Sequence, residues 1–169
     1  INANSTNEII FTRGATDSIN IIANSLAEHL NKGDKIVVTE LEHHSNYLPW
    51  MHLCKKLELE LKIIPISKEG ILSEDEIINN CDDTTKVLSL THMSNVTGQI
   101  LDLKKIKKEI NKDIYVAVDG CQSIAHLNID VKDLDCDFYS FSSHKLYGPS
   151  GIGIMYGKED ILNQLNPPT

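Results

Sequence analysis

Lys145 closes the run Ser142-Ser143-His144-Lys145, in which a primary amine follows hydroxyl and imidazole side chains. A lysine placed in a pocket among such donors can lose its proton and attack a carbonyl carbon, forming an imine. Asp119 opens Asp119-Gly120-Cys121-Gln122 directly after an apolar run. A carboxylate buried there needs a cationic partner, because an unpaired buried charge is expensive. Arg13-Gly14-Ala15-Thr16 joins a glycine turn to the start of a helical pattern, so backbone N–H groups and a hydroxyl face an anion together. Ser142 and His144 add donors for the same anion. His43, in Glu40-Leu41-Glu42-His43-His44, and Asn95, in His92-Met93-Ser94-Asn95, bring an aromatic ring and an amide.

The elements that must position these residues alternate in type. Strands are expected over Glu8–Phe11, Lys35–Thr39, Leu59–Pro65, Lys86–Thr91, Ile114–Val118, Asp137–Phe141 and Ile152–Tyr156. Between them, Ile19, Ile22, Ala23, Leu26 and Leu30 recur at spacings of three and four and predict an amphipathic helix over Thr16–Leu30. Gly33 suits a left-handed cap after it. Further helices are expected over Tyr47–Leu57, from a Ser73/Glu76 capping box to Asn79, and over Leu103–Lys112. Strand–helix alternation predicts an α/β fold: a mixed, mostly parallel sheet with helices on both faces. The link between Asp137–Phe141 and Ile152–Tyr156 is too short for a helical crossover, so those two strands, if adjacent, run antiparallel. No repeat or internal boundary interrupts the chain before its Pro167-Pro168 end.

Ligands of open α/β sheets bind beyond the carboxyl ends of the strands. Five strand ends here deliver Thr, His, Asn, Asp, Gln, Ser, His and Lys to one side of one sheet. A molecule with a carbonyl for the lysine, a protonated ring nitrogen for the aspartate and a phosphate for the helix N-terminus answers all of them. Pyridoxal 5'-phosphate (PLP) is that molecule, and a protonated ring keeps it an electron sink.

Composition narrows the alternatives. The 169 residues suit one domain, and no apolar run approaches the length of a membrane span. A formal net charge of −8 argues against nucleic acid as partner. Cys54, Cys81, Cys121 and Cys136 form no CxxC pair, so free thiols are expected rather than a disulfide framework or zinc site. No metal site is expected. The opening Ile1-Asn2-Ala3-Asn4 resembles no signal peptide, and the chain reads as a fragment or a processed product.

The segment Phe141-Ser142-Ser143-His144-Lys145-Leu146-Tyr147-Gly148-Pro149-Ser150-Gly151-Ile152-Gly153 resembles the PLP-lysine signature of the class V aminotransferases. More narrowly it is similar to the SufS-type cysteine desulfurases and selenocysteine lyases. Thr12–Thr16, Glu42-His43-His44-Ser45-Asn46, Pro49-Trp50, His92-Met93-Ser94-Asn95-Val96 and Val118–Gln122 are similar to that family's other blocks, in its order. The resemblance implies a fold-type I PLP-dependent large domain, with residues 1–169 its central part and the N-terminal segment and C-terminal small domain absent. It implies that Lys145 holds the cofactor as a Schiff base and moves the substrate's α-proton. Asp119 would pair with the ring nitrogen, and His43 would stack on the ring and act in proton transfer. Asn95 and Gln122 would bond the ring's 3-oxygen, while Ala15, Thr16, Ser142 and His144 hold the phosphate.

The reaction implied is L-cysteine, or L-selenocysteine, to L-alanine, with sulfur passed to an enzyme cysteine persulfide for iron–sulfur cluster assembly. Implied too are a homodimer, a sulfur-acceptor protein and a cytoplasmic or plastid-type location. None of the four cysteines matches the family's nucleophile, so sulfur transfer is not expected of this chain alone. Another class V chemistry, kynureninase-like or epimerase, and a non-catalytic scaffold remain as alternatives. Plainer readings stand beside each residue: Lys145 as a surface lysine, Asp119 as a helix cap, Asn95 and Gln122 as turn residues, Cys121 as packing. Gly151-Ile152-Gly153 is no dinucleotide fingerprint, since Tyr156 stands where its third glycine belongs.

Overall fold

A computed structural model describes residues 1–167; Pro168 of the Pro167-Pro168 end lies outside them. Seven strands form one sheet: β1 (Ile9–Thr12), β2 (Lys35–Thr39), β3 (Glu60–Ile64), β4 (Thr85–Thr91), β5 (Tyr115–Asp119), β6 (Phe138–Ser142) and β7 (Gly153–Gly157). Their order across the sheet is β1-β7-β6-β5-β4-β2-β3. β7 runs antiparallel to both neighbours, with Ser142 opposite Gly153 and Thr12 opposite Gly153 on its other side. The remaining pairs are parallel. The expected mixed, mostly parallel sheet with an antiparallel return is therefore the fold.

Strand composition explains the two-sided cover. All five residues of β2, Lys-Ile-Val-Val-Thr, are buried, as are all five of β6, and a strand buried on both faces reads as continuous apolar sequence. Ile36, Val38, Val87, Ala117, Phe138 and Met155 point to one face, where they pack with Ile19, Ile22, Leu26 and Trp50. These last belong to α1 (Ala15–Leu26) and α2 (His44–Leu57). Val37, Leu88, Leu90, Val116, Val118 and Tyr139 point the other way. There they meet Ile77 of α3 (Glu74–Asn79), Ile106 of α4 (Leu103–Glu109) and Val131 of α6 (Val131–Leu134). The short α5 (Ser123–His126) and α7 (Glu159–Leu162) complete the helices. Among them none is long and apolar enough to cross a membrane.

Several boundaries differ from the sequence reading. The first helix is α-helical only to Leu26; a 3-10 turn over Ala27–His29 follows and Leu30 is extended. The fourth stops at Glu109 rather than Lys112, because Ile110 swings to extended backbone and buries its side chain. Ser73 precedes α3 but makes no side-chain cap bond, so the capping box does not form. α2 begins three residues before Tyr47, since the His43 ring nitrogen caps the Ser45 N–H. One glycine carries a packing demand at the site's edge. A Cβ on Gly153 would fall among the backbone atoms of Gly14, so only glycine lets β7 cross that turn.

Candidate active site

Ala15, Thr16, His43, Asn95, Asp119, Gln122, Ser142, His144 and Lys145 all line one cavity of about 250 Å³ at the carboxyl ends of the strands. They come from five separate stretches of chain, so the sheet rather than any local motif assembles them.

Two elements make the anion end. α1 is preceded by Gly14, which offers no side-chain cap, so the first-turn N–H groups rely on outside partners. Ala15 N–H donates to Ser142 Oγ at 2.8 Å, tying the helix N-terminus to the end of β6. With that oxygen used as acceptor, the Ser142 hydroxyl hydrogen is left to donate. His144 and Lys145 follow in a 3-10 turn over Ser143–Leu146, closed by Gly148 N–H on Ser143 O and by Ser143 Oγ on Pro149 O. Both side chains are exposed. Lys145 lines the cavity from its rim rather than from its floor, and forms no ion pair among the described residues.

Asp119 lines the same cavity. It is the last residue of β5 and 5% exposed. Its Oδ1 accepts the Cys121 N–H at 2.9 Å. No ion pair holds it among the described residues. Burial pushes its carboxyl up, while the Cys121 N–H and the nearby His43 and Lys145 pull it back. A buried, half-satisfied carboxylate facing a cavity is a receptor for a cationic or N–H-bearing group.

His43 caps α2. Its Nδ1 accepts the Ser45 N–H at 3.1 Å and lies 3.0 Å from Ser45 Oγ, and Thr16 Oγ1 donates to that oxygen at 2.8 Å. A neutral His43 therefore keeps its hydrogen on Nε2. Asn95 projects from a loop closed by the Met93–Ile100 bridge and by Ser94, whose Oγ accepts the Val96 and Thr97 N–H groups. Gln122 precedes α5 with no cap bond of its own. Both amides are thus uncommitted.

The sequence reading missed four further lining residues, Ser45, Thr91, Met93 and Cys121, and one supporting residue. The Glu42 carboxylate accepts from Thr39 Oγ1 at 2.6 Å, Asn46 Nδ2 at 2.6 Å and Thr91 N at 3.0 Å. Trp50 Nε1 and Ser89 Oγ both donate to Asn46 Oδ1, which leaves the amide nitrogen for Glu42. The sequence signal was available only as Glu42 and Asn46 flanking His43. Among the described residues, no group of three His, Cys, Asp or Glu side chains could hold a metal ion.

The aminotransferase class-V family model matches residues 1–169. A cysteine desulfurase of Wigglesworthia glossinidia brevipalpis is 47% identical over 173 residues, covering 99% of this chain and 42% of that protein. One from Cronobacter sakazakii is 45% identical over 169 residues with the same coverage. Among solved structures, the Escherichia coli cysteine desulfurase CsdA superposes with a TM-score of 0.93 at 37% identity, over 98% of this chain and 42% of that one. A mutant of C-DES with glycine covalently linked to its PLP cofactor gives 0.87 at 26% identity, over 97% of this chain and 44% of its own. The chain thus spans about 42% of the length of the relatives it matches.

Proposed function

The chain belongs to the class-V aminotransferase family, and on that premise we propose that it is the cofactor-binding part of a PLP-dependent cysteine desulfurase of the SufS type. Residues 1–169 are read as the central part of its large domain. The observation that carries the proposal is that Asp119 and Lys145 line one cavity with the start of α1, whose N-terminus has no side-chain cap.

The residues fit the cofactor on chemistry visible in the chain itself. Asp119 has a buried oxygen to offer a protonated ring nitrogen. Ala15 and Thr16 at the start of α1, with the Ser142 hydroxyl and His144, suit a phosphate. Lys145 Nζ is a primary amine with no ionic partner holding it. When bound, PLP supplies a carbonyl that condenses with amines and a ring that accepts electrons. Lys145 would hold the cofactor as a Schiff base and carry the substrate's α-proton on Nζ. Asp119 would pair with the ring nitrogen, His43 would stack on the ring and act in proton transfer, and Asn95 and Gln122 would hydrogen-bond its 3-oxygen.

In the full-length protein the reaction is read as L-cysteine, or L-selenocysteine, to L-alanine, with sulfur delivered to a cysteine and on to an acceptor protein for iron–sulfur assembly. A thiolate is the species that accepts sulfur, and none of these four cysteines is suited to it. Burial pushes Cys54 and Cys81 up to about 11 and Cys136 up to about 12. Cys121 faces the cavity, yet burial and the Asp119 charge push it up to about 12 as well. The accepting thiol is read as lying outside these residues, in agreement with those shifts. A homodimer and a cytoplasmic or plastid-type location complete the reading.

The test is optical. The purified chain is loaded with PLP, desalted and its visible spectrum recorded beside Lys145→Ala. A retained absorption band present only with Lys145 supports the reading. A band of equal strength in Lys145→Ala overturns the assignment of the lysine, and a folded chain with no band overturns cofactor binding by these residues.

A further inference from the structure

Asp119 can serve a ligand only if the main chain behind it is held still, and His92 holds that main chain twice. Its backbone N–H donates to Asp119 O at 3.0 Å. Its ring Nδ1 lies 3.1 Å from Tyr139 Oη, which lies 2.6 Å from Ser123 Oγ, which in turn donates to Gly120 O at 3.2 Å. Two consecutive carbonyls, those of Asp119 and Gly120, thus both lead back to one residue.

The direction of the side-chain path follows from its end. Gly120 O accepts the Ile124 N–H at 2.9 Å and stands 3.2 Å from Ser123 Oγ, and a carbonyl oxygen only accepts, so the single hydrogen of Ser123 is assigned to that contact. On that assignment Tyr139 donates its own hydrogen to Ser123 Oγ. That leaves His92 Nδ1 as donor to Tyr139 Oη, which requires the hydrogen on Nδ1. Ser123 and Tyr139 are fully buried and His92 is 6% exposed, so bulk water does not compete for these bonds. Packing reinforces the path. A Cβ on Gly120 would fall inside the Tyr139 ring, so the turn after Asp119 sits directly on that ring. His92 also meets Tyr139 edge to face, with ring centroids 6.0 Å apart.

We infer that His92 is a positioning residue for Asp119: as the neutral ring with its hydrogen on Nδ1, it drives a one-way chain of hydrogen bonds through Tyr139 and Ser123 that fixes the Asp119–Gly120 turn. The inference rests on the function proposed above only for the purpose of that turn; the chain itself stands without it. Burial independently favours the uncharged ring, lowering His92 to about 4.

The experiment uses the chain without cofactor, so its outcome is separate from whether PLP binds. The ring nitrogens of His92 are read by two-dimensional ¹H–¹⁵N spectroscopy at neutral pH. A protonated Nδ1 and bare Nε2 are expected, with that preference lost in Tyr139→Phe. A wild-type ring carrying its hydrogen on Nε2 overturns the inference. Placement of Asp119 is read by hydrogen exchange at the Cys121 amide, which is bonded to Asp119 Oδ1. Loss of one net hydrogen bond predicts about 10-fold faster exchange there in Tyr139→Phe and His92→Leu. Amides of β2 should keep their protection, and His92→Asn, which returns an N–H donor near the δ position, should restore most of the lost protection at Cys121. Unchanged Cys121 exchange in His92→Leu, or equal loss in the Asn and Leu variants, overturns the positioning role.

Discussion

The Glu42 carboxylate accepts the backbone N–H of Thr91 at 3.0 Å, and Thr91 is the register partner of Asp119 on the neighbouring strand. The loop that presents His43 is therefore tied to the strand end beside the buried aspartate. Thr39 and Asn46 supply the other donors, so a single carboxylate joins β2, α2 and β4.

Glu42 gives the fold a pH dependence with a definite sign. Burial, with the Asp119 charge adding to it, pushes its carboxyl up from 4.5 to about 8 against the pull of those donors. A raised folded value means the native state binds more protons than the unfolded chain between those limits. Stability is then greatest below pH about 4.5 for this group and is lost as pH rises through about 8. Denaturant titrations at pH 5 and 8 should show wild type losing more stability between them than Glu42→Gln. Equal losses would remove Glu42 as the source.

Ser45 joins Thr16, at the proposed phosphate end, to His43. Ser45→Ala removes the hydroxyl that links them but leaves the backbone cap on α2 in place. PLP affinity should fall roughly 5-fold, the size of one exposed hydrogen bond, with unfolding stability unchanged. Equilibrium dialysis against PLP measures it, and an unaltered affinity would show that the link is idle.

Asp137 is buried between Lys107 and Lys158, both 2.9 Å away, and also accepts the Val116 N–H at 2.8 Å. Lys107 is itself 9% exposed in its side chain. Asp137→Ala strands a buried ammonium group and should cost about 3–5 kcal/mol in urea unfolding. A loss below ~1 kcal/mol would mean that Lys107 finds water instead.

Ser140 Oγ has no hydrogen-bond partner among the described residues although the residue is fully buried. Ser140→Ala removes an unsatisfied oxygen and should leave stability within ~0.5 kcal/mol of wild type or above it. Ser123→Ala, at an equally buried serine bonded to Tyr139 and Gly120, should cost about 1–3 kcal/mol. Thermal unfolding of the two side by side separates them; a large loss at Ser140 would mean that its oxygen is bonded after all.

The amino-acid sequence by itself determined the seven strands, the four helices α1 to α4 and the antiparallel return of β7. Short apolar, β-branched runs mark the strands, three-to-four apolar spacing marks the buried face of a helix, and a short link leaves no room for a crossover. It also placed nine cavity-lining residues, because each follows a strand end and open sheets expose those ends together. Tertiary structure alone decided the rest. Ile110 ends its helix early because the core claims its side chain, a pull that the period of α4 does not register. The four-residue α5 and α6 carry too few apolar positions to show a period. Glu42 and Thr91 are 49 residues apart, and His92 and Tyr139 are 47 apart. Which polar group a buried side chain meets depends on strand register across the sheet, and local sequence does not encode that register. Lys145 shows the same division: its type and neighbours were legible, but its seat on the rim of the cavity, in an exposed 3-10 turn, was set by how β6 and β7 close around it.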